Sequence, residues 1–270
     1  MRLAPVIGMP SSAINVVARA AARAYANRGW AVFPLNGKTP FAGTHGWKDA
    51  TTERARIDEM WRRYPRANVA IATGAVSNLT VLDLDAKHDA TAQLARLMHP
   101  TDLMPPTAAV RTGGGGTHFY FQNAGIGNSA GLIALGIDIR GNGGYVAAPP
   151  SVHPNGTAYQ WYDDAQPDHG IAEMPQWLLD LIGESKIKYI EERRNAIRTL
   201  FANGAAEGKR NDSLARMAGY LFRSNLPPLF CREVLHLWAA HRLRPAMSQD
   251  EIDTTIESIA RIEERRQARR

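Results

Sequence analysis

The stretch Leu79-Thr80-Val81-Leu82-Asp83-Leu84-Asp85 decides how this chain is read. It is a short apolar run with β-branched residues, which marks a buried strand, and it ends in two aspartates one residue apart. Alternate side chains of a strand share a face, so Asp83 and Asp85 point the same way, about 6–7 Å apart. Two carboxylates at that spacing can hold a pair of divalent ions. Two ions roughly 3.5–4 Å apart can activate an attacking oxygen and stabilise a leaving one, as phosphoryl and nucleotidyl transfer require. Taken alone, an Asp-x-Asp is equally well a strand end with two solvated acids.

Two later stretches point to the same place. Arg111-Thr112-Gly113-Gly114-Gly115-Gly116-Thr117-His118-Phe119-Tyr120-Phe121 sets a four-glycine turn before a strand with a histidine at its entrance. Glycine lets backbone N–H groups approach an anion closely, and Arg111 and His118 can supply charge or donors to phosphate oxygens. Gly136-Ile137-Asp138-Ile139-Arg140-Gly141-Asn142-Gly143-Gly144-Tyr145-Val146 adds a third acid, flanked by isoleucines on another short strand. Three acids and one histidine, each at a strand end beside glycines, form a constellation.

These pieces, in this order, resemble the primase-polymerase (Prim-Pol) branch of the archaeo-eukaryotic primase superfamily, found in replication proteins of phages and plasmids. The resemblance covers most of the chain. It also rests on Gly29-Trp30-Ala31-Val32-Phe33-Pro34-Leu35, Lys38-Thr39-Pro40, Gly46-Trp47-Lys48-Asp49-Ala50-Thr51, Ala72-Thr73-Gly74 and Ala148-Pro149-Pro150-Ser151-Val152-His153. It implies that Asp83, Asp85 and Asp138 bind two catalytic ions, Mg²⁺ or Mn²⁺, and that His118 contacts the phosphates of the incoming nucleotide. Lys38 becomes a candidate for contacting nucleotide or template. The superfamily often carries Ser two residues before that His, where this chain has Gly116, so a hydroxyl contact to phosphate must come from elsewhere, from Thr117 or Thr112. The implied activity is that of a DNA primase and DNA polymerase, making and extending primers on single-stranded DNA from NTPs or dNTPs. Relatives commonly carry a helicase further on, so a helicase domain or subunit is an implied partner.

Other classes explain less. A haloacid-dehalogenase-type phosphatase wants Thr or Val two residues after the second Asp, where Lys87 stands. A metal-dependent glycosyltransferase would leave the glycine-His strand and the basic tail without a purpose. A non-catalytic DNA-binding module leaves the three acids unexplained, because carboxylates repel phosphate unless metal intervenes.

Composition agrees with an anionic partner. The formal charge of the 270 residues is +6. The excess is C-terminal: residues 184–270 carry about 17 Lys and Arg against 12 Asp and Glu, and residues 1–183 about 15 against 14. The single Cys231 excludes an intrachain disulfide framework and a cysteine-rich zinc site, so no zinc is expected, and it fits a reducing compartment; the resemblance implies the cytoplasm of a bacterial host. No apolar run is long enough to span a bilayer, and Arg19 and Arg23 break the early alanine run at helical spacing, which favours an amphipathic helix over a secretion signal.

The expected fold is α+β, a mixed or antiparallel sheet flanked by helices and followed by a small all-α bundle. Residues 1–183 are the catalytic domain, 184–205 a helical connector, and 206–270 a helical module resembling the one after many primase cores. Residues 1–10 read as a loose lead. Ser11 or Ser12 caps a helix to about Asn27 with Val16, Val17, Ala20, Ala24 and Tyr25 on one side. A second helix carries Ile57, Met60, Trp61 and Tyr64 at i, i+3, i+4 and i+7. Asn68–Ala72, a tight turn and the Asp83 strand read as a hairpin. His153 is expected in a turn after Pro149-Pro150, and a short helix around Trp177–Ile182 closes the first domain. Asn211 or Asp212 caps the next helix, Pro227-Pro228 opens another, and Ser248-Gln249-Asp250-Glu251 is a capping box before the last.

Overall fold

The computed structural model describes residues 11–224 and 226–268, and the lead expected over residues 1–10 lies outside them. In chain order the elements are α1 (Ser11–Ala26), β1 (Val32–Asn36), β2 (Thr39–Pro40), α2 (Arg54–Arg63), β3 (Asn68–Ala72), β4 (Leu79–Leu84), α3 (Ala90–Leu97), β5 (Ala109–Arg111), β6 (Thr117–Gln122), β7 (Ile137–Arg140), β8 (Tyr145–Ala148), β9 (Gln160–Trp161), α4 (Gln176–Asn203), α5 (Arg210–Phe222), α6 (Pro228–Arg242) and α7 (Gln249–Gln267). The fold is α+β, with one unit ending at Lys186 and a helical one starting at Ile187.

Among the described residues the strands make two antiparallel sheets, of order β2-β1-β3-β8 and β7-β4-β6-β5-β9. The alternation of β4 puts Leu79 and Val81 in one core, with β1, β3, β8 and the buried faces of α1 and α2. It puts Leu82 and Leu84 in a second core, with Ile137 and Ile139 of β7, Leu94 of α3 and Leu178 and Ile182 of α4. The strand is therefore buried from both sides, and Asp83 sits on the first face where that packing opens.

The expected hairpin does not form. β3 pairs with β1 and β8, whereas β4 pairs with β6 and β7, so consecutive strands enter different sheets. One bridge, Gly74 to Leu79, links them at the turn. Gly74 has a φ of 87° and its α-carbon lies against Asn142, whose side-chain oxygen accepts a hydrogen bond from the Ala75 N–H at 2.9 Å. The turn is thus held by the strand-to-strand loop at Asn142, a partner some seventy positions away that no local pattern reveals.

The helices match their sequence signals in part. In α2, Ile57 and Trp61 are fully buried, as the spacing predicts. In α1 the buried stripe is Ala18, Ala21, Ala22 and Tyr25; of the expected face Tyr25 is buried, while Val16 is 57% exposed and Ala20 and Ala24 are exposed too. Alanine on both sides of α1 leaves little hydropathy contrast, and close approach to the sheet selects the small residues. The helix expected to stop near Ile182 and the charged connector form one helix, α4, which passes through Gly183. A single glycine costs about 1 kcal/mol in a helix interior and does not stop propagation. Gly204, at φ 70°, ends it, its N–H donating to the Leu200 carbonyl at 2.8 Å.

In the second unit α5 starts at Arg210, so Asn211 and Asp212 lie inside the first turn rather than at the cap. Pro228 opens α6, and the Ser248–Glu251 capping box of α7 is formed in both directions. Its core joins Leu214, Met217, Leu235, Trp238, Ile252 and Ile256, and Cys231 is buried. No helix among the described residues is long and apolar enough to cross a membrane.

Candidate active site

Register builds the site. Asp83 lies directly across from Asp138 of β7 on one side and from His118 of β6 on the other. Residues opposite each other in antiparallel strands share a face, so Asp138, Asp83 and His118 form one row across three neighbouring strands. Asp85 follows two positions after Asp83, just past the end of β4, and its Oδ1 accepts the Lys87 N–H at 2.9 Å as it caps a 3₁₀ turn over Ala86–His88. The row faces a cleft of about 740 Å³ whose lining includes Asp83, Asp85, Asp138, His118, Lys38 and Thr112.

A residue absent from the sequence-derived site binds this row together. Arg140 stands two positions after Asp138 on the same face. Its Nη2 donates to Asp138 Oδ2 at 2.6 Å and to Asp83 Oδ2 at 3.2 Å, and its Nε donates to Asp83 Oδ2 at 3.3 Å. The outer oxygen of Asp138 accepts the Gly131 N–H at 2.8 Å, and Nε2 of His118 lies 3.3 Å from Asp83 Oδ1. Burial alone would push the Asp83 carboxyl up, but His118 and Arg140 more than offset it and hold the group below the usual carboxylate range. The His118 ring is buried, packed near Tyr120 and Tyr159.

The glycine turn closes mostly on itself. The Thr112 N–H donates to the Gly116 carbonyl, and the Gly116 N–H donates to Thr112 Oγ1, both at 2.9 Å. Gly114 lines the cleft; Gly116 does not. A side chain at Gly116 would collide with the Leu84 carbonyl, so this backbone admits no hydroxyl-bearing residue there without shifting. Arg111 and Thr117 occupy the alternate face from His118 and lie outside the cleft lining. The Arg111 guanidinium sits 5.2 Å from the Tyr162 ring centroid, and Thr117 Oγ1 is 3.2 Å from the Tyr162 hydroxyl. Lys38 reaches the cleft from the turn after β1, its carbonyl accepting the Tyr145 hydroxyl at 3.3 Å.

His153 forms the expected turn, its N–H donating to the Thr157 carbonyl at 2.8 Å, and it also lines the cleft beside Gly114. Same-face spacing from Asp138 was the signal that could have found Arg140. Nothing local marks Tyr159 as a cleft residue, and the turn around His153 reads first as structural.

The donors suit a hard divalent ion. They are carboxylate oxygens, the ligands Mg²⁺ and Mn²⁺ prefer, and the inner oxygens of Asp83 and Asp138 already share one cation, the Arg140 guanidinium. Among the described residues no three acidic, histidine or cysteine side chains close around a single point. Mg²⁺ does not need such a cage, since it commonly takes one or two carboxylates and fills the rest of its shell with water and substrate phosphate.

The family model described as bifunctional DNA primase/polymerase, N-terminal, matches residues 22–177, and the one described as primase C terminal 1 (PriCT-1) matches residues 198–265. The first match covers more than half of the sequence, and the chain belongs to the Prim-Pol family. Together the two domains support a primase/polymerase role in DNA replication, with a DNA template and nucleotides as substrates. No curated protein matches the chain.

Proposed function

We propose that the chain is a template-dependent nucleotidyltransferase that starts and extends primers on single-stranded DNA in phage or plasmid replication, using two Mg²⁺ or Mn²⁺ ions held by Asp83, Asp85 and Asp138. The observation that carries this reading is the row Asp138–Asp83–His118, one residue from each of three adjacent strands, facing a cleft large enough for a nucleotide. Bound there, the ions would supply charge neutralisation at the α-phosphate and an activated 3′-oxygen.

The chain's own part is positioning. Asp83 and Asp138 are fixed by sheet register, and Asp85 by its cap on the 3₁₀ turn, so their geometry is set before substrate arrives. Lys38, Gly114 and Thr112 line the cleft around them and are the groups we assign to the triphosphate, with His118 beside Asp83. Arg111 and Thr117, on the other face, are left to shape the glycine turn and β6. The basic second unit is assigned to template or nascent strand, and a helicase remains the proposed partner.

The test is incubation with single-stranded DNA, labelled NTPs or dNTPs and Mg²⁺ or Mn²⁺, beside Asp83→Ala. The wild type should make product and the variant at least about 100-fold less, with unchanged circular dichroism. Equal product from both refutes the site.

A further inference from the structure

We infer that Arg140 is a resident counter-ion: in the metal-free protein it occupies the cation position between Asp83 and Asp138, and a divalent ion binds there only by displacing it. The inference rests on the proposed reading of these two acids as metal ligands.

Two carboxylates directly opposite each other on neighbouring strands repel. Register makes that juxtaposition unavoidable for Asp83 and Asp138, and the fold answers it with a guanidinium from the same strand as Asp138. One Arg140 fork engages Oδ2 of both acids, at 2.6 Å and 3.2 Å. Their other oxygens face different partners, Oδ1 of Asp138 the Gly131 N–H and Oδ1 of Asp83 the His118 ring. All four oxygens of the pair are therefore engaged, and the two facing inward are held by the one partner that carries a full charge on a long, flexible stem.

A second cation cannot share that position at low cost. Unit charges a few ångströms apart repel appreciably at the partial burial seen here, and a divalent ion doubles the effect. Backbone N–H groups cannot leave, but Arg140 can: its side chain is 28% exposed and borders the cleft. The apparent affinity for the ion is then the intrinsic affinity multiplied by the fraction of molecules in which Arg140 has already released the acids.

The experiment measures Mn²⁺ binding to the full chain by electron paramagnetic resonance of the free ion, without nucleotide. The proteins are wild type, Arg140→Gln, Arg140→Lys and Asp83→Asn. Arg140→Gln should bind Mn²⁺ about 10-fold more tightly than wild type, and Arg140→Lys, which keeps the charge, within about twofold of it. Equal or weaker binding by Arg140→Gln overturns the inference. Asp83→Asn separates the two claims. If it binds Mn²⁺ as wild type does, the reading of the metal site fails, whereas lost binding there with no gain in Arg140→Gln overturns the counter-ion alone. Should Arg140→Gln not fold, the wild type decides: the Arg140 Nε–Hε nuclear magnetic resonance signal should shift and lose exchange protection as Mg²⁺ is added. An unmoved signal at saturating Mg²⁺ overturns the proposal.

Discussion

Gly116 shows how little room the glycine turn leaves for a side chain. A Cβ there would run into the Leu84 carbonyl, at the end of the very strand that carries Asp83. Introducing a serine is therefore expected to harm. Gly116→Ser should cost about 1–3 kcal/mol of stability in a denaturant titration, with no tighter nucleotide binding, because strand β4 must shift to make room. A variant as stable as wild type with improved affinity would contradict this. The residue scale is also where the sequence was most legible. Asp83, Asp85, Asp138 and His118 could be picked out from spacing and glycine context, and all four line one cleft. The spacing of Arg140 from Asp138 put it on the same face, but its bridge to Asp83 depends on which strand lies beside β7, and that is a long-range fact.

Elements with strong local signals were legible down to the side chain. The box at Ser248 and Glu251 forms as its spacing predicts, with Ser248 Oγ accepting the Glu251 N–H at 3.3 Å and Glu251 returning to the Ser248 N–H at 3.0 Å. Ser248→Ala should cost about 1 kcal/mol and lower the thermal midpoint of the helical unit, read by circular dichroism. A midpoint unchanged within error would mean that the box contributes nothing beyond what water supplies. Elements whose fate depends on partners were not legible. β3 and β4 look like the two arms of a hairpin because a short turn with a glycine joins them. Each nevertheless finds more apolar surface in a different sheet, β3 between β1 and β8, β4 between β6 and β7. The face of α1, of which only Tyr25 was placed on the buried side, has the same origin, since nothing within an alanine-rich helix says which side the sheet will approach.

At the scale of the whole molecule, the first unit is tied together by tyrosines. Tyr25 hydrogen-bonds the Pro149 carbonyl at 2.6 Å and accepts from the Trp161 indole at 3.1 Å; Trp30 stacks near both Tyr25 and Tyr120. Burial pushes the phenols of Tyr25 and Tyr120 well above their usual range and that of Tyr159 up to about 12. A raised phenol favours the folded state while it keeps its proton. This contribution is complete below the unfolded value near 10 and disappears as pH climbs through the folded values. Tyrosinate absorbance from these groups should therefore rise only together with loss of ellipticity, above about pH 10. Titration of all eight tyrosines near pH 10 with the fold intact would refute it. The two-sided burial of β4 reaches further than stability. Leu82 and Leu84 are clamped by hydrocarbon underneath while Asp83 projects above, so the gap between the acids inherits part of its rigidity from oil, beside the strand pairing and the Arg140 bridge. Under the proposed reading, preference for a small ion such as Mg²⁺ over the larger, more adaptable Ca²⁺ would be set in part by aliphatic side chains that no ion ever touches.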